Sequence, residues 1–196
     1  MLDTFGRKRI DRPVQILARL FRRAGLTPNM VTLWAFFVGC GAAVLLATGH
    51  PWWGVLMLWL SGLLDVADGE LARLTKAQSP SGALLDLILD RMVEALVLLG
   101  LVIHRPELAV ATILFLTSVI FNFSTFLAAG ALLTNAGKKS MHYDPGLIER
   151  TETFVFFTAA ILLPDYSLWI LGALTGLIVL TGIRRFYQLF DALRQP

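Results

Sequence analysis

The stretch DVADGELARLTKAQSPSGALLDLILD, residues 65–90, contains four aspartates in a chain that is otherwise strongly apolar. Of the 196 residues, 56% are hydrophobic and only 16% are charged, against roughly 25% charged residues in soluble domains. A carboxylate without a partner in apolar surroundings costs on the order of several kcal/mol. Few cations lie nearby in sequence, namely Arg73, Lys76 and Arg91. The concentration of carboxylates therefore predicts a functional site.

The spacing of the aspartates predicts how they come together. Asp65 and Asp68 are three residues apart and Asp86 and Asp90 are four apart, so each pair shares a face of a helix. Two helices joined by a short loop can bring all four carboxylates together. Clustered oxygen ligands suit hard divalent cations such as Mg²⁺ or Mn²⁺.

The residues around the aspartates add a site for a phosphate. Gly69, Ala72 and Gly82 lack bulk, so a ligand can approach the helix backbones closely. Arg73 is placed to bind a phosphate group. A single glycine in a membrane helix more often permits helix packing, and a single aspartate at a helix end is more often a cap or a solvated charge. The prediction of a metal-assisted phosphate site therefore depends on the joint spacing.

Outward from this stretch, apolar segments approach the length of about 20 residues that crosses a bilayer. Six of them are expected to span the membrane as helices, at 30–48, 51–73, 82–103, 106–134, 151–163 and 166–188. Of the 17 lysines and arginines, only Arg105 falls in a predicted outer loop. The positive-inside rule then predicts that both termini are cytoplasmic and that the aspartates lie at the cytoplasmic membrane interface. The net charge of +3 is attributed to basic residues on the cytoplasmic side of the membrane, and no nucleic-acid binding is expected.

The N-terminal residues 1–26 are expected to form an amphipathic helix that lies on the membrane surface. Ile10, Val14, Leu17, Leu20 and Phe21 recur near helical spacing, and the remaining face is basic. A solvated basic tail is the alternative. The fold class predicted is therefore an all-α integral membrane protein. It is expected to be one domain over 1–196, with the interfacial helix followed by a six-helix transmembrane bundle over 27–196.

The aspartate stretch resembles the signature of the CDP-alcohol phosphatidyltransferase family, D-x₂-D-G-x₂-A-R-x₈-G-x₃-D-x₃-D. The chain matches every specified position, and the motif LTPNMVT at residues 26–32, the six spans and the amphipathic leader are also similar to the family. The residues that match the signature are Asp65, Asp68, Gly69, Ala72, Arg73, Gly82, Asp86 and Asp90.

The resemblance implies an activity and assigns roles to residues. Members transfer a phospho-group from a CDP-linked donor to an alcohol and release CMP, in phospholipid biosynthesis, and they are often homodimers among membrane lipids. One or two Mg²⁺ or Mn²⁺ ions would be held by Asp65, Asp68, Asp86 and Asp90, and Asp90 would also be the catalytic general base. The CDP-binding residues implied are Asn29, Thr32, Asp65, Asp68, Gly69, Ala72, Arg73 and Gly82.

The substrates are less well specified by the sequence. CDP-diacylglycerol is the commonest donor in the family, with CDP-choline, CDP-ethanolamine and CDP-inositol as alternatives. Members with phosphorylated acceptors usually carry basic residues in the fourth helix, whereas residues 121–135 contain no Lys or Arg. Lys138, Lys139 and Arg150 are candidate acceptor-binding residues, although they also fit ordinary positive-inside charge. Two other classes, intramembrane prenyltransferases and ion transporters, also place carboxylates in membrane helices.

Overall fold

The computed structural model describes the backbone of residues 2–135 and 150–194, and the side chains of residues 12–132 and 150–194. Within these ranges all regular structure is helical, which confirms the predicted all-α class. The helices are α1 Leu2–Arg23, α2 Pro28–Ala47, α3 Pro51–Thr75, α4 Pro80–His104, α5 Ala109–Asn135, α6 Arg150–Leu162 and α7 Ser167–Arg194. Short 3₁₀ turns, Pro106–Leu108 and Pro164–Tyr166, precede α5 and α7.

Three helical stretches within the described ranges are long and apolar enough to cross a membrane. They are Pro28–Ala47, Pro106–Leu132 and Pro164–Arg194. Helices α3 and α4 have 25 residues each, but both carry the charged residues of the aspartate stretch. Helix α6 has 13 residues, about 20 Å of helix, against a hydrocarbon core of about 30 Å. The six crossings expected from the sequence therefore stay a prediction.

The chain forms two compact units, and the first, Thr4–Glu107, contains the aspartate stretch. In this unit α2 packs against both α3 and α4. Small residues allow the close approach: a Cβ on Gly100 of α4 would lie 2.2 Å from the carbonyl oxygen of Ala43 in α2. A Cβ on Gly39 would lie 2.6 Å from Cγ2 of Val93. The two helices that carry the aspartates are thus both packed on α2.

Helix α1 packs part of its apolar face against the rest of the first unit. Val14 is buried, whereas Leu20 and Ile16 are 52% and 58% exposed. The predicted membrane-facing stripe is therefore divided, with one apolar sector against the protein and another exposed; Ile10 lies outside the described side chains. The buried cluster here consists of Ala18, Val31 and Leu71.

The second unit contains α5, α6 and α7. Helix α7 packs against both α5 and α6. The rings of Phe115 and Phe157 meet edge to face with centroids 5.5 Å apart, and both side chains are fully buried. Ser167 closes the turn before α7 by donating its hydroxyl to the carbonyl oxygen of Ala160 at 2.6 Å. This unit has an aromatic core.

Candidate active site

The turn between α3 and α4 brings the two halves of the motif together in space. Lys76 adopts a left-handed conformation with φ of 54°. The amide of Ala77 donates to the carbonyl oxygen of Ala72 at 3.0 Å, and the amide of Lys76 donates to that of Arg73 at 3.3 Å. This is the hydrogen-bond pattern of a Schellman cap, which ends a helix sharply. The chain therefore leaves α3 and reverses within residues 76–79.

Helix α4 begins immediately after this turn. Pro80 occupies the first helical position, where its missing N–H is not needed. The hydroxyl oxygen of Ser79 caps the helix by accepting from the amide of Gly82 at 3.1 Å. Both helix ends are thereby fixed beside each other.

Three of the predicted carboxylates meet across this turn. One ligand oxygen each from Asp65, Asp68 and Asp86 lies within 4.8 Å of the others. Asp68 is buried and the other two are half-buried. Asp90 is half-buried one turn further along α4 and does not belong to this group.

A cavity of about 190 Å³ opens beside these carboxylates. Asp86 and seven of the eight residues proposed to bind CDP line it, Asp65 being the exception. The seven are Asn29, Thr32, Asp68, Gly69, Ala72, Arg73 and Gly82. Sequence reasoning missed the others that line it: Pro28, Ala77, Gln78, Ser79 and Ala83.

The first turns of two helices contribute to the cavity wall. Pro28 and Asn29 begin α2, and Gly82 and Ala83 lie in the first turn of α4. The amides of Gly82 and Ala83 already donate to Ser79, but the positive ends of the two helix dipoles and the guanidinium of Arg73 favour an anion. The carboxylates of α3 and α4 favour a cation. The cavity therefore has adjacent anion-binding and cation-binding sides, as a metal-bound diphosphate requires.

The structure separates two possible roles of the LTPNMVT segment. Thr27, not Asn29, is the N-cap of α2, since its hydroxyl oxygen accepts from the amide of Met30 at 3.4 Å. Asn29 instead reaches α4: a Cβ on Gly82 would lie 3.1 Å from its Oδ1. Thr32 is buried and donates its hydroxyl to the carbonyl oxygen of Pro28 at 3.1 Å.

The candidate acceptor residues are less completely described. Arg150 is the first residue of α6 in the second unit. It is half-buried, with its guanidinium carbon 5.3 Å from the centre of the Phe154 ring. Lys138 and Lys139 lie outside the described residues.

Comparison with known proteins identifies the class. The family model of the CDP-alcohol phosphatidyltransferases matches residues 25–183. The chain is 34% identical to the inner membrane protein YnjF of Escherichia coli over the full length of both proteins. It is 32% identical to the phosphatidylinositol phosphate synthase of Mycobacteroides abscessus, over 73% of this chain and 65% of that one.

A solved structure has the same fold. The phosphatidylinositol phosphate synthase of Mycobacterium tuberculosis with CDP-DAG bound matches with a TM-score of 0.77 at 24% identity, covering 91% of this chain and 94% of that one. A second structure of that protein is a complex with manganese and citrate.

The chain therefore belongs to the CDP-alcohol phosphatidyltransferase family. It is an integral membrane protein and a transferase of phospholipid biosynthesis. This assignment confirms the resemblance seen in the aspartate stretch, and it favours that class over the prenyltransferases and ion transporters.

Proposed function

We propose that the protein transfers a phosphatidyl group from CDP-diacylglycerol to an alcohol and releases CMP. The observation that carries this proposal is the carboxylate group of Asp65, Asp68 and Asp86 beside a cavity lined by the motif residues. The bound CDP-DAG in the mycobacterial structure supports this choice of donor.

We propose that Asp65, Asp68 and Asp86 hold Mg²⁺ or Mn²⁺, as one ion or two. The donor set is all oxygen, which both ions prefer. Around Mg²⁺, with bonds of about 2.1 Å, neighbouring ligand oxygens lie about 3.0 Å apart and opposite ones about 4.2 Å apart. Oxygens within 4.8 Å of one another would reach these distances when the three side chains turn towards a shared ion. The manganese in the mycobacterial structure also supports this assignment. A bound divalent ion neutralises the diphosphate and stabilises the leaving phosphate.

The remaining residues supply binding and proton transfer. Arg73 and the first turns of α2 and α4 would hold the diphosphate of the donor. The alcohol oxygen attacks the phosphorus bonded to diacylglycerol, and the bond from that phosphorus to the CMP oxygen breaks. Asp90, one turn beyond Asp86 on α4, would accept the proton of the alcohol. As the family resemblance implies, one oxygen of Asp90 would also help to hold a metal ion while the other takes the proton.

We further propose a membrane topology. Trp52 lies in the first turn of α3 and Trp169 in the first turn of α7, and both are strongly exposed. Exposed tryptophans favour the membrane–water interface. Trp52 precedes Asp68 by 16 residues, about 24 Å of helix, so the tryptophan and the carboxylate would lie near opposite interfaces. This supports a crossing by α3. We propose six crossings in all, with both termini and the active site on the cytoplasmic side and α1 on that surface. We also propose that residues 1–196 form a single membrane domain and that the protein is a homodimer.

The test is a matrix of donors and acceptors with purified protein in liposomes. CDP-diacylglycerol, CDP-choline, CDP-ethanolamine and CDP-inositol are each combined with free and phosphorylated alcohols or with diacylglycerol, with Mg²⁺ or Mn²⁺ present. CMP release and the mass of the lipid product are measured. We expect the wild-type protein to release CMP from CDP-diacylglycerol, and the Asp68→Asn variant to do so on the order of 10³-fold more slowly at the same metal concentration. CMP release from another donor alone would refute the proposed donor, and release from none would refute the proposed function.

A further inference from the structure

The pairing of Arg73 with Glu70 is a feature of the cavity that the family signature does not specify. The Nε of Arg73 donates to Oε2 of Glu70 at 2.9 Å. Nη2 lies 2.9 Å from the same oxygen. Glu70 therefore holds one edge of the guanidinium through two nitrogens.

The other edge of the Arg73 guanidinium lies beside Gly69. A Cβ on Gly69 would be 3.7 Å from Nη1 of Arg73, and Gly69 and Arg73 both line the cavity, whereas Glu70 does not. Nη1 takes no part in the pair with Glu70. The pair with Glu70 therefore holds the Arg73 side chain against α3, with Nη1 beside Gly69 at the wall of the cavity.

Stability does not account for this pair. The side chain of Arg73 is 51% exposed, and exposed ion pairs three residues apart contribute little to folding. A long exposed side chain does lose rotamer freedom when it binds a ligand, and a side chain that is already held loses less. The effect of Glu70 is therefore expected in ligand binding.

We propose that Glu70 is a positioning residue for the donor: it holds Arg73 so that Nη1 faces a phosphate of the CDP group. This inference rests on the proposed function, because it requires that the cavity binds a nucleoside diphosphate. Glu70 acts through Arg73 and does not itself touch the donor. It also lies outside the group of carboxylates, Asp65, Asp68 and Asp86, that meet across the turn.

A double-mutant cycle tests the proposal. The affinity for CDP at fixed Mg²⁺ is measured by calorimetry for wild type, Glu70→Gln, Arg73→Gln and the double variant. We expect Glu70→Gln to weaken CDP binding about three- to tenfold, as for one side chain that must now be ordered on binding. In the Arg73→Gln background the same change should alter the affinity less than about twofold, because the residue that Glu70 positions is gone.

Kinetics and a matched control separate positioning from a general structural effect. Glu70→Gln should raise KM for CDP-diacylglycerol while kcat at saturating donor and the metal requirement stay within about twofold. Glu70→Asp, which keeps the charge, should recover part of the affinity. The control is Glu107→Gln, which breaks a similar pair, between Arg105 Nε and Glu107 Oε1 at 3.0 Å, away from the residues that line the cavity. It should leave CDP binding unchanged.

Two results would overturn the inference while leaving the proposed function standing. Equal losses from Glu70→Gln with and without Arg73 would mean that Glu70 acts independently of the arginine. Tighter CDP binding by Glu70→Gln would mean that the carboxylate competes with phosphate for Arg73. Failure of the wild-type protein to bind CDP at all would instead refute the proposed function, and the inference with it.

Discussion

The two units of the chain differ in how closely their helices approach. In the first unit a Cβ on Gly39, Gly54 or Gly100 would lie less than 3.0 Å from a neighbouring atom. In the second unit Gly182 comes as close, 2.7 Å from the Phe121 ring, whereas Gly130, Gly172 and Gly176 have no neighbour within 4 Å, as is also true of Gly41 in the first unit. The three grouped carboxylates all belong to the closely packed unit. Close packing fixes side-chain geometry, so small changes in the first unit should affect chemistry far more than similar changes in the second.

The largest effect is expected at the buried carboxylate. Asp68→Asn keeps one oxygen but removes the charge from the group that would hold the metal. A metal ion supplies several kcal/mol of transition-state stabilisation, equivalent to on the order of 10³-fold in rate. CMP release measured against Mg²⁺ and Mn²⁺ concentration should show this loss or a much higher metal requirement. The control, Asp165→Asn in an exposed turn of the second unit, should behave as wild type.

Two observations would contradict the metal prediction. One is normal turnover by Asp68→Asn at the metal concentration that saturates the wild type. The other is full turnover by the wild type after exhaustive chelation.

A smaller loss is expected at Asp90, because it is proposed to act in proton transfer more than in binding. Asn is nearly isosteric with Asp but is a very poor base. Asp90→Asn should lose at least ~10²-fold in turnover, the low end for general-base catalysis, while CDP binding with metal stays within about tenfold. Calorimetry beside a CMP-release assay measures both. Turnover near wild type would exclude Asp90 as the base, and joint loss of binding and activity would make it mainly a metal ligand.

Glycine substitutions test the packing difference directly. A Cβ on Gly82 would lie 3.1 Å from both Asn29 Oδ1 and Ser79 Oγ, two groups that line the cavity. Gly82→Ala should therefore weaken CDP binding by about five- to tenfold, as expected for a crowded site. The intrinsic helix preference for alanine, about 0.5–1 kcal/mol, opposes the cost of crowding in Gly82→Ala, so the melting temperature of this variant should change little. Gly176→Ala has open space around it, so it should leave CDP binding unchanged and raise the melting temperature slightly. An equal loss of CDP binding in the two variants would refute the comparison.

Sequence reasoning succeeded where local spacing determines position. The three-residue interval between Asp65 and Asp68 predicts a shared helix face, and the turn at 76–79 then brings Asp86 beside them. The four-residue interval from Asp86 to Asp90 predicts a shared face equally well. It does not predict which carboxylates come within 4.8 Å of one another, because that depends on how α3 and α4 pack on α2.

Other features depend on contacts that periodicity does not encode. Gln78 and Ser79 line the cavity because Lys76 takes a left-handed conformation, and nothing in the residue type of Lys76 indicates this. In α1 the apolar spacing does not distinguish a protein-facing side from a lipid-facing one. Ala18, too small to mark an apolar stripe, is fully buried, whereas the larger Leu20 is exposed.

The smallest effect is expected in the second unit, at Arg150. Arg150→Gln should raise KM for a phosphorylated acceptor about three- to tenfold. Loss of a fully buried charged hydrogen bond would have a larger effect, but this side chain is partly solvated. KM for an unphosphorylated alcohol and the affinity for CDP should stay within about twofold. Arg194→Gln is the matched control, since Arg194 also lies over a phenylalanine four residues away, 4.5 Å from the centre of the Phe190 ring. Weaker CDP binding by Arg150→Gln would contradict the assignment of Arg150 to the acceptor. The same KM change in Arg194→Gln would mean that the effect is one of general positive charge and not of an acceptor site.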